Sequence, residues 1–350
     1  MEHLALVKIG TLTALSFILA MSWTPVLSHF LYKYKLGKNI RSSAKTPIFS
    51  KLHSKKSGTP TMGGVLVWLT VFVLAAVLFV SWRVWETEWL GFFNFVSRSE
   101  TWLPLGAMLL GAAVGLVDDY FTVTGKGVDG GGLSIPYRLG LYTVIAIVGA
   151  YWFYVKLGFD TIHVPFFGDF TLGWWYIPLF IFVIVATSFS VNETDGLDGL
   201  AGGVMMSMFG AYGAIAFIQG NYDLATLCGV IAGSLLAFLW FNINPARFFM
   251  GDTGSMSLGI TLGIIAMLTD TLFFLPIIGL VLVVESLSVI IQVLSKKFRR
   301  KKVFLSAPIH HHFEALGWSE PKVVMRFWVI SGVGVTLGLI LFLLDLGITG

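Results

Sequence analysis

The chain has 350 residues, of which 56% are hydrophobic and only 12% charged, and its mean hydropathy is +0.83. A soluble domain carries about a quarter charged residues, so these proportions exclude a soluble globular enzyme and place the chain in a membrane. The net charge of +4 points to no nucleic-acid partner, and a single cysteine, Cys228, excludes an intrachain disulfide.

Ten apolar runs follow one another: Leu4–Leu27, Met62–Trp82, Leu103–Val117, Ile135–Val155, Trp174–Val191, Leu197–Ile218, Leu224–Phe241, Ser255–Thr269, Leu272–Leu294 and Val323–Leu344. Backbone in hydrocarbon must satisfy its own hydrogen bonds, so each run is predicted to be a membrane-spanning helix. The first is long for a signal peptide and lacks a small-x-small cleavage site, so it reads as a retained span. Gly202, Gly203, Gly210, Gly229 and Gly233 suit close helix contact. No internal repeat and no soluble domain is visible. The expected architecture is one all-α polytopic membrane domain over residues 1–350.

Basic residues set the orientation. The first connection carries Lys33, Lys35, Lys38, Arg41, Lys45, Lys51, Lys55 and Lys56, without an acidic residue. The ninth carries Lys296, Lys297, Arg299, Arg300, Lys301 and Lys302, with Lys322 and Arg326 at the last span. Lys126, Arg138 and Arg247 also fall on odd-numbered connections, leaving only Lys8, Arg83, Arg98 and Lys156 for the even ones and the ends. Odd connections are therefore expected in the cytoplasm and both termini outside. Topology accounts for most of these clusters; some could also hold anionic lipid or a phosphorylated substrate.

The chemistry-bearing segments fall on the same connections. Asp118 and Asp119 sit side by side at the end of the third run, where like charges beside hydrocarbon call for a metal or cationic partner. The alternative is a helix end at the water boundary. A loop from Gly125 to Gly132 follows, read as flexible. Asp195 and Asp198 would share one helical face if Asp195 opens the sixth span, or they serve as helix-capping acids. Asp252 precedes Thr253-Gly254-Ser255 as a metal ligand or an N-cap. Together these are five carboxylates at one depth, hard oxygen donors of the kind magnesium takes alongside substrate phosphates. Three consecutive histidines, His310 to His312, cannot all face one way on a helix, which disfavours a compact zinc site and suits phosphate binding or acid–base work. Glu285, Ser288 and Gln292 form a polar seam expected to turn inward. Asn192-Glu193-Thr194 matches a glycosylation sequon that a cytoplasmic position would leave unused.

Gly58-Thr59-Pro60-Thr61-Met62-Gly63-Gly64, the aspartate pair, the run from Thr194 to Leu200, the run from Phe249 to Ser255, and Pro308-Ile309-His310-His311-His312-Phe313-Glu314 occur in a recognisable order. In these segments the chain closely resembles the phospho-N-acetylmuramoyl-pentapeptide transferase family, within the polyprenyl-phosphate N-acetylhexosamine-1-phosphate transferase superfamily (glycosyltransferase family 4). The aspartate motifs mark the superfamily, and the histidine segment marks the muramoyl branch. The resemblance implies a multi-pass enzyme of the bacterial inner membrane. It would move phospho-MurNAc-pentapeptide from UDP-MurNAc-pentapeptide to undecaprenyl phosphate with Mg²⁺, giving lipid I and UMP. This is the first membrane step of peptidoglycan synthesis, on which cell shape and division depend. It also implies a homodimer.

By motif position, the resemblance makes Asp252 a magnesium ligand, with Asp118 and Asp119 at the metal and phosphates and Asp118 the favoured base. His310 and His311 would support the diphosphate or sugar. Asp195, Gly196, Leu197, Asp198 and Phe249 would form a uridine pocket, with Phe249 stacking on uracil. Lys56, Thr61, Asn192, Asn242, Gln292 and His312 match further substrate-binding positions. The chain departs from the family pattern at Glu193, where leucine is common, at Thr122, where lysine is frequent, and at Arg138, in place of a usual lysine. One-step transfer and a route through an aspartyl phosphate both remain open. Competing readings are a UDP-GlcNAc:undecaprenyl-phosphate GlcNAc-1-phosphate transferase and, in another class, a lipid transporter or flippase. The last would put ionisable groups near the bilayer midplane and carry a repeat.

Overall fold

The computed structural model describes residues 2–37, 56–97, 100–126 and 131–349. Lys38, Arg41, Lys45, Lys51, Lys55, Arg98, Gly127 and Gly130 lie outside the described residues. Long helices follow the apolar runs: α1 (Glu2–Lys33), α2 (Val65–Trp85), then a short α3 (Glu88–Phe93), α4 (Trp102–Thr124) and α5 (Ile135–Tyr151), which continues as a π-helical turn over Trp152–Leu157. After a β-hairpin of β1 (Thr161–Val164) and β2 (Gly168–Thr171) come α6 (Tyr176–Thr194), α7 (Leu200–Ile218), α8 (Tyr222–Asn242), α9 (Gly251–Leu268), α10 (Leu275–Ile278), α11 (Leu280–Arg299), α12 (Ile309–Ala315) and α13 (Glu320–Thr349). Among the described residues, nine helices are long and apolar enough to cross a membrane, or ten if the bent pair α10–α11 makes one span. The chain is an all-α integral membrane protein apart from the hairpin, which hydropathy could not separate from a loop.

α9 is the most enclosed span, packed against α4 and α6. Its composition explains this: small and hydroxylated residues let neighbours approach closely and return their hydroxyls to the helix's own carbonyls, as Thr261 does to Ser257 at 2.7 Å. A Cβ on Gly115 of α4 would stand 2.3 Å from the Asp252 carbonyl oxygen, and one on Gly259 of α9 would stand 2.7 Å from the Ser188 Cα of α6. α8 is clasped by α1 and α7, with Gly229 and Gly233 close against Thr13 and Gly202 close against Leu239, while Gly203 faces Trp328 of α13 and Gly210 borders open space.

Three boundaries correct the sequence reading. The aspartate pair lies inside α4, which runs on to Thr124, rather than at its end. Tertiary partners satisfy both carboxylates, so the helix need not stop there. Asp195 and Asp198 share no helical face: Asp195 follows the last turn of α6, and α7 begins only after Gly199, whose φ of 82° breaks the chain direction. The ninth run is not one straight span; it bends by 83° between α10 and α11, at Gly279. Past the bend, α11 presents Glu285, Ser288 and Gln292 inward, all buried as the seam predicts.

Candidate active site

Pro60 and Gly63–Gly64 run beside Phe249–Met250, paired through backbone bonds of 2.7–2.8 Å. This pairing brings the first odd-numbered connection to the start of α9. There Gly251 adopts a φ of 74°, and a Cβ would stand 2.6 Å from both Asp119 Oδ2 and Thr61 Oγ1. Asp252 is thus in the first turn of α9, one residue inside it, rather than an N-cap.

Three carboxylates meet at this point. Asp119 accepts from Thr61 Oγ1 at 3.1 Å and from the Thr253 N–H at 3.0 Å. Asp118 is fully buried; its Oδ1 accepts from the Leu133 N–H at 2.5 Å and its Oδ2 lies 2.6 Å from Arg138 Nε. Asp252 Oδ1 accepts from Asn192 Nδ2 at 2.6 Å, and its Oδ2 lies 3.4 Å from Arg138 Nη2. Arg138 also donates through Nη1 to Asn192 Oδ1 at 3.1 Å. One guanidinium from α5 therefore ties together α4, α6 and α9. Asp252, at 17% side-chain exposure, is the carboxylate of this group that opens outward.

A second cluster lies beside it. Asp195 accepts from the Gly251 N–H at 3.1 Å. Lys56 Nζ contacts Asp198 Oδ1 at 2.6 Å and stands 5.8 Å from the centroid of the Phe249 ring, which is half-buried. Asn242 is buried and bridges the Gly199 N–H to the Phe248 carbonyl at 2.9 Å each, so it shapes the pocket wall. Leu197 is buried in the core.

The histidines divide. His310 is fully buried; Nδ1 pairs with Glu285 at 2.9 Å, while Nε2 has no hydrogen-bond partner among the described residues and abuts Gly196, where a Cβ would stand 2.2 Å away. His311 Nδ1 pairs with Glu314 at 2.7 Å. His312 faces away and accepts from the Leu305 N–H at 3.2 Å. Gln292 likewise serves the backbone of Val303 and Phe304 through three bonds of 2.9–3.0 Å. Those two are not brought to the carboxylates.

The first, third, fifth, seventh and ninth connections thus gather at one end of the bundle. The other end has its own network: Lys8 pairs with Asp223 at 2.7 Å, and His163 of β1 lies 2.6 Å from Asp169 of β2 and 2.7 Å from Asp345 of α13. Burial works against charge on His163, but the bonds to Asp169 and Asp345 prevail and raise its pKa above the usual 6.5.

Sequence reasoning noted Arg138 as a topology residue and a departure from the family pattern, not as a site residue, and missed Glu320 and Asn244, both of which contact Asp198. An acidic residue opening a span at the site's end was the one available signal. No group of three or more His, Cys, Asp or Glu among the described residues forms a ready-made metal cage. The donor chemistry still suits magnesium, which takes one or two carboxylates and fills its shell with phosphates and water.

The model of glycosyl transferase family 4 matches residues 101–270, and a phospho-N-acetylmuramoyl-pentapeptide-transferase signature matches residues 56–66. The chain is 38% identical over 346 residues to the phospho-N-acetylmuramoyl-pentapeptide-transferase of Chloroflexus aggregans, covering 95% of this chain and 89% of the relative. The chain belongs to the phospho-N-acetylmuramoyl-pentapeptide-transferase family. Enzymes of that name from Shouchella clausii (41% identity, 93% and 94% covered) and Listeria monocytogenes (40%, 92% and 94%) are similarly close. The chain is therefore a transferase and, with its long apolar helices, a multi-pass protein of the bacterial inner membrane. The family signature covers Pro60–Gly64, and the family 4 match covers the Phe249–Met250 segment paired with it, the carboxylates and Arg138.

Proposed function

We propose that the chain transfers phospho-MurNAc-pentapeptide from UDP-MurNAc-pentapeptide to undecaprenyl phosphate at the cytoplasmic face, releasing UMP and forming lipid I. The observation that carries this reading is the convergence of Asp118, Asp119 and Asp252 with Arg138 at the joined ends of connections far apart in sequence. Phosphoryl transfer asks a protein mainly for positioning and charge neutralisation, and this cluster offers both. The relatives' printed name supports the muramoyl substrate over a GlcNAc one. The concentration of lysine and arginine at the site's end supports a cytoplasmic placement.

In this reading, Asp252 is the carboxylate that holds magnesium, with Asp118 and Asp119 behind it. Bound magnesium would neutralise the diphosphate and stabilise the leaving UMP. Phe249 offers a ring face to uracil, and Lys56, Asp195, Gly196, Leu197 and Asp198 surround the uridine. Arg138 holds a fixed guanidinium beside the phosphates, a fork suited to two oxygens at once. His310 keeps one ring nitrogen for the diphosphate or sugar because Glu285 occupies the other. For Asp118 to take the proton of the lipid phosphate, one of its oxygens must exchange its Arg138 or Leu133 contact for the acceptor. A lipid-phosphate oxygen then bonds to the sugar-proximal phosphorus as the bond to UMP breaks. Mass spectrometry of the lipid product made by the purified protein tests the reading: a MurNAc-pentapeptide diphosphate lipid supports it, and a GlcNAc diphosphate lipid excludes it.

A further inference from the structure

Glu320 opens α13 and belongs to none of the segments that carry the family resemblance. Its Oε1 accepts from Lys56 Nζ at 2.5 Å and from the Asp198 N–H at 2.7 Å, and its Oε2 accepts from Asn244 Nδ2 at 3.2 Å. Asp198 receives the same ammonium on Oδ1 at 2.6 Å, and on Oδ2 it receives the same amide at 3.0 Å and the Ala246 N–H at 3.1 Å. Two carboxylates, 3% and 11% exposed, thus share one ammonium and one amide.

An acid in a first helical turn ordinarily complements the helix dipole from solvent. Glu320 instead takes donors from three other segments of the chain. Two turns further along α13, Trp328 Nε1 donates to the Gly199 carbonyl at 3.1 Å, so α13 grips the 195–199 turn at two points. The ammonium that these carboxylates hold is the one standing over the Phe249 ring.

We propose that Glu320 is a positioning residue of the nucleotide pocket: it fixes the Lys56 ammonium and the Asp198 peptide beside Phe249, so that a uridine diphosphate group meets a preset cation. This rests on the uridine-pocket reading above. Without Glu320, Lys56 keeps a single carboxylate, and Asn244 loses one of its two acceptors.

Glu320→Asp and Glu320→Gln separate this from a helix-start role. Aspartate serves a helix start as well as glutamate, but its carboxylate is one methylene shorter and falls short of Lys56 and the Asp198 N–H. Glutamine keeps the reach and loses the charge. Calorimetric titration with UDP, together with KM and kcat at saturating polyprenyl phosphate, reads the effect. Both variants are expected to weaken UDP binding about tenfold, as loss of a charge-assisted hydrogen bond does, and to raise KM in step. Their kcat should stay within about twofold of wild type. Wild-type UDP affinity in both variants overturns the inference. Lys56→Ala tells which reading has failed: if it weakens UDP binding while the Glu320 variants do not, only the role of Glu320 falls; if it too binds UDP normally, the pocket assignment falls and takes the inference with it.

Discussion

Arg138 and Asp118 form a 2.6 Å ion pair in which the carboxylate is fully buried and the guanidinium reaches on to Asp252 and Asn192. Removing one partner of such a pair leaves an uncompensated buried charge, at a cost of about 3–5 kcal/mol. Arg138→Met should therefore destabilise the detergent-solubilised protein strongly. Arg138→Met combined with Asp118→Asn should recover part of that loss. A double-mutant cycle on thermal unfolding measures the coupling, and additivity of the two changes would contradict the pairing. Arg138→Lys restores the residue usual at this position in the family and keeps the charge, so it should fold normally and lose less than about tenfold in kcat/KM from the contacts it no longer reaches.

Asp252 makes few demands on the fold, because it is partly exposed and its neighbours Asn192 and Ser255 also hydrogen-bond each other at 3.0 Å. Asp252→Ala should abolish turnover while leaving the melting temperature nearly unchanged. Near-normal turnover in this variant would mean the metal ligand lies elsewhere. Chelation of divalent cations should silence the wild-type enzyme, and added magnesium should restore it.

Gly251 allows two kinds of interference to be told apart. At a φ of 74° an alanine is strained by about 1–3 kcal/mol, and its Cβ would press on Asp119 and Thr61. Gly251→Ala should lower both stability and activity. Gly196→Ala, at a glycine with no positive φ, adds no backbone strain but should displace buried His310, lowering activity with a stability loss that comes from overpacking alone. Activity assays beside thermal melts decide both.

These sites also mark how far the sequence could be read. The ten apolar runs and their alternating basic connections located nearly every span, because hydropathy reports burial in lipid directly. The motif segments were legible as one functional end because they all fall on odd connections, while the even connections hold only scattered charged residues. What could not be read was decided by tertiary partners. Nothing local told that α4 would continue through Asp118 and Asp119, since partners distant in the chain, Arg138 and Leu133 for Asp118 and Thr61 and Thr253 for Asp119, make that tolerable. The bend at Gly279 and the turn holding Asp195 and Asp198 depend on backbone geometry that hydropathy averages away. Glu320 lies ahead of the tenth run and outside every motif, so only its partners reveal its role.

The opposite end of the bundle offers a pH test. Because His163 has a folded-state pKa above the usual 6.5, its contribution is fully present below that value and is lost as pH rises through the folded pKa. Asp169, Asp345 and, through the His163 N–H at 3.0 Å, Asp270 are the acids facing it. His163→Gln should therefore melt below wild type most clearly at about pH 6, with the gap closing at alkaline pH. A gap that widens with pH would contradict the charged-histidine clasp.

The most direct measurement is UMP release by the purified protein. UDP-MurNAc-pentapeptide should yield UMP only when a polyprenyl phosphate and Mg²⁺ are both present. No release under those conditions, or equal turnover of UDP-GlcNAc, would contradict the assignment.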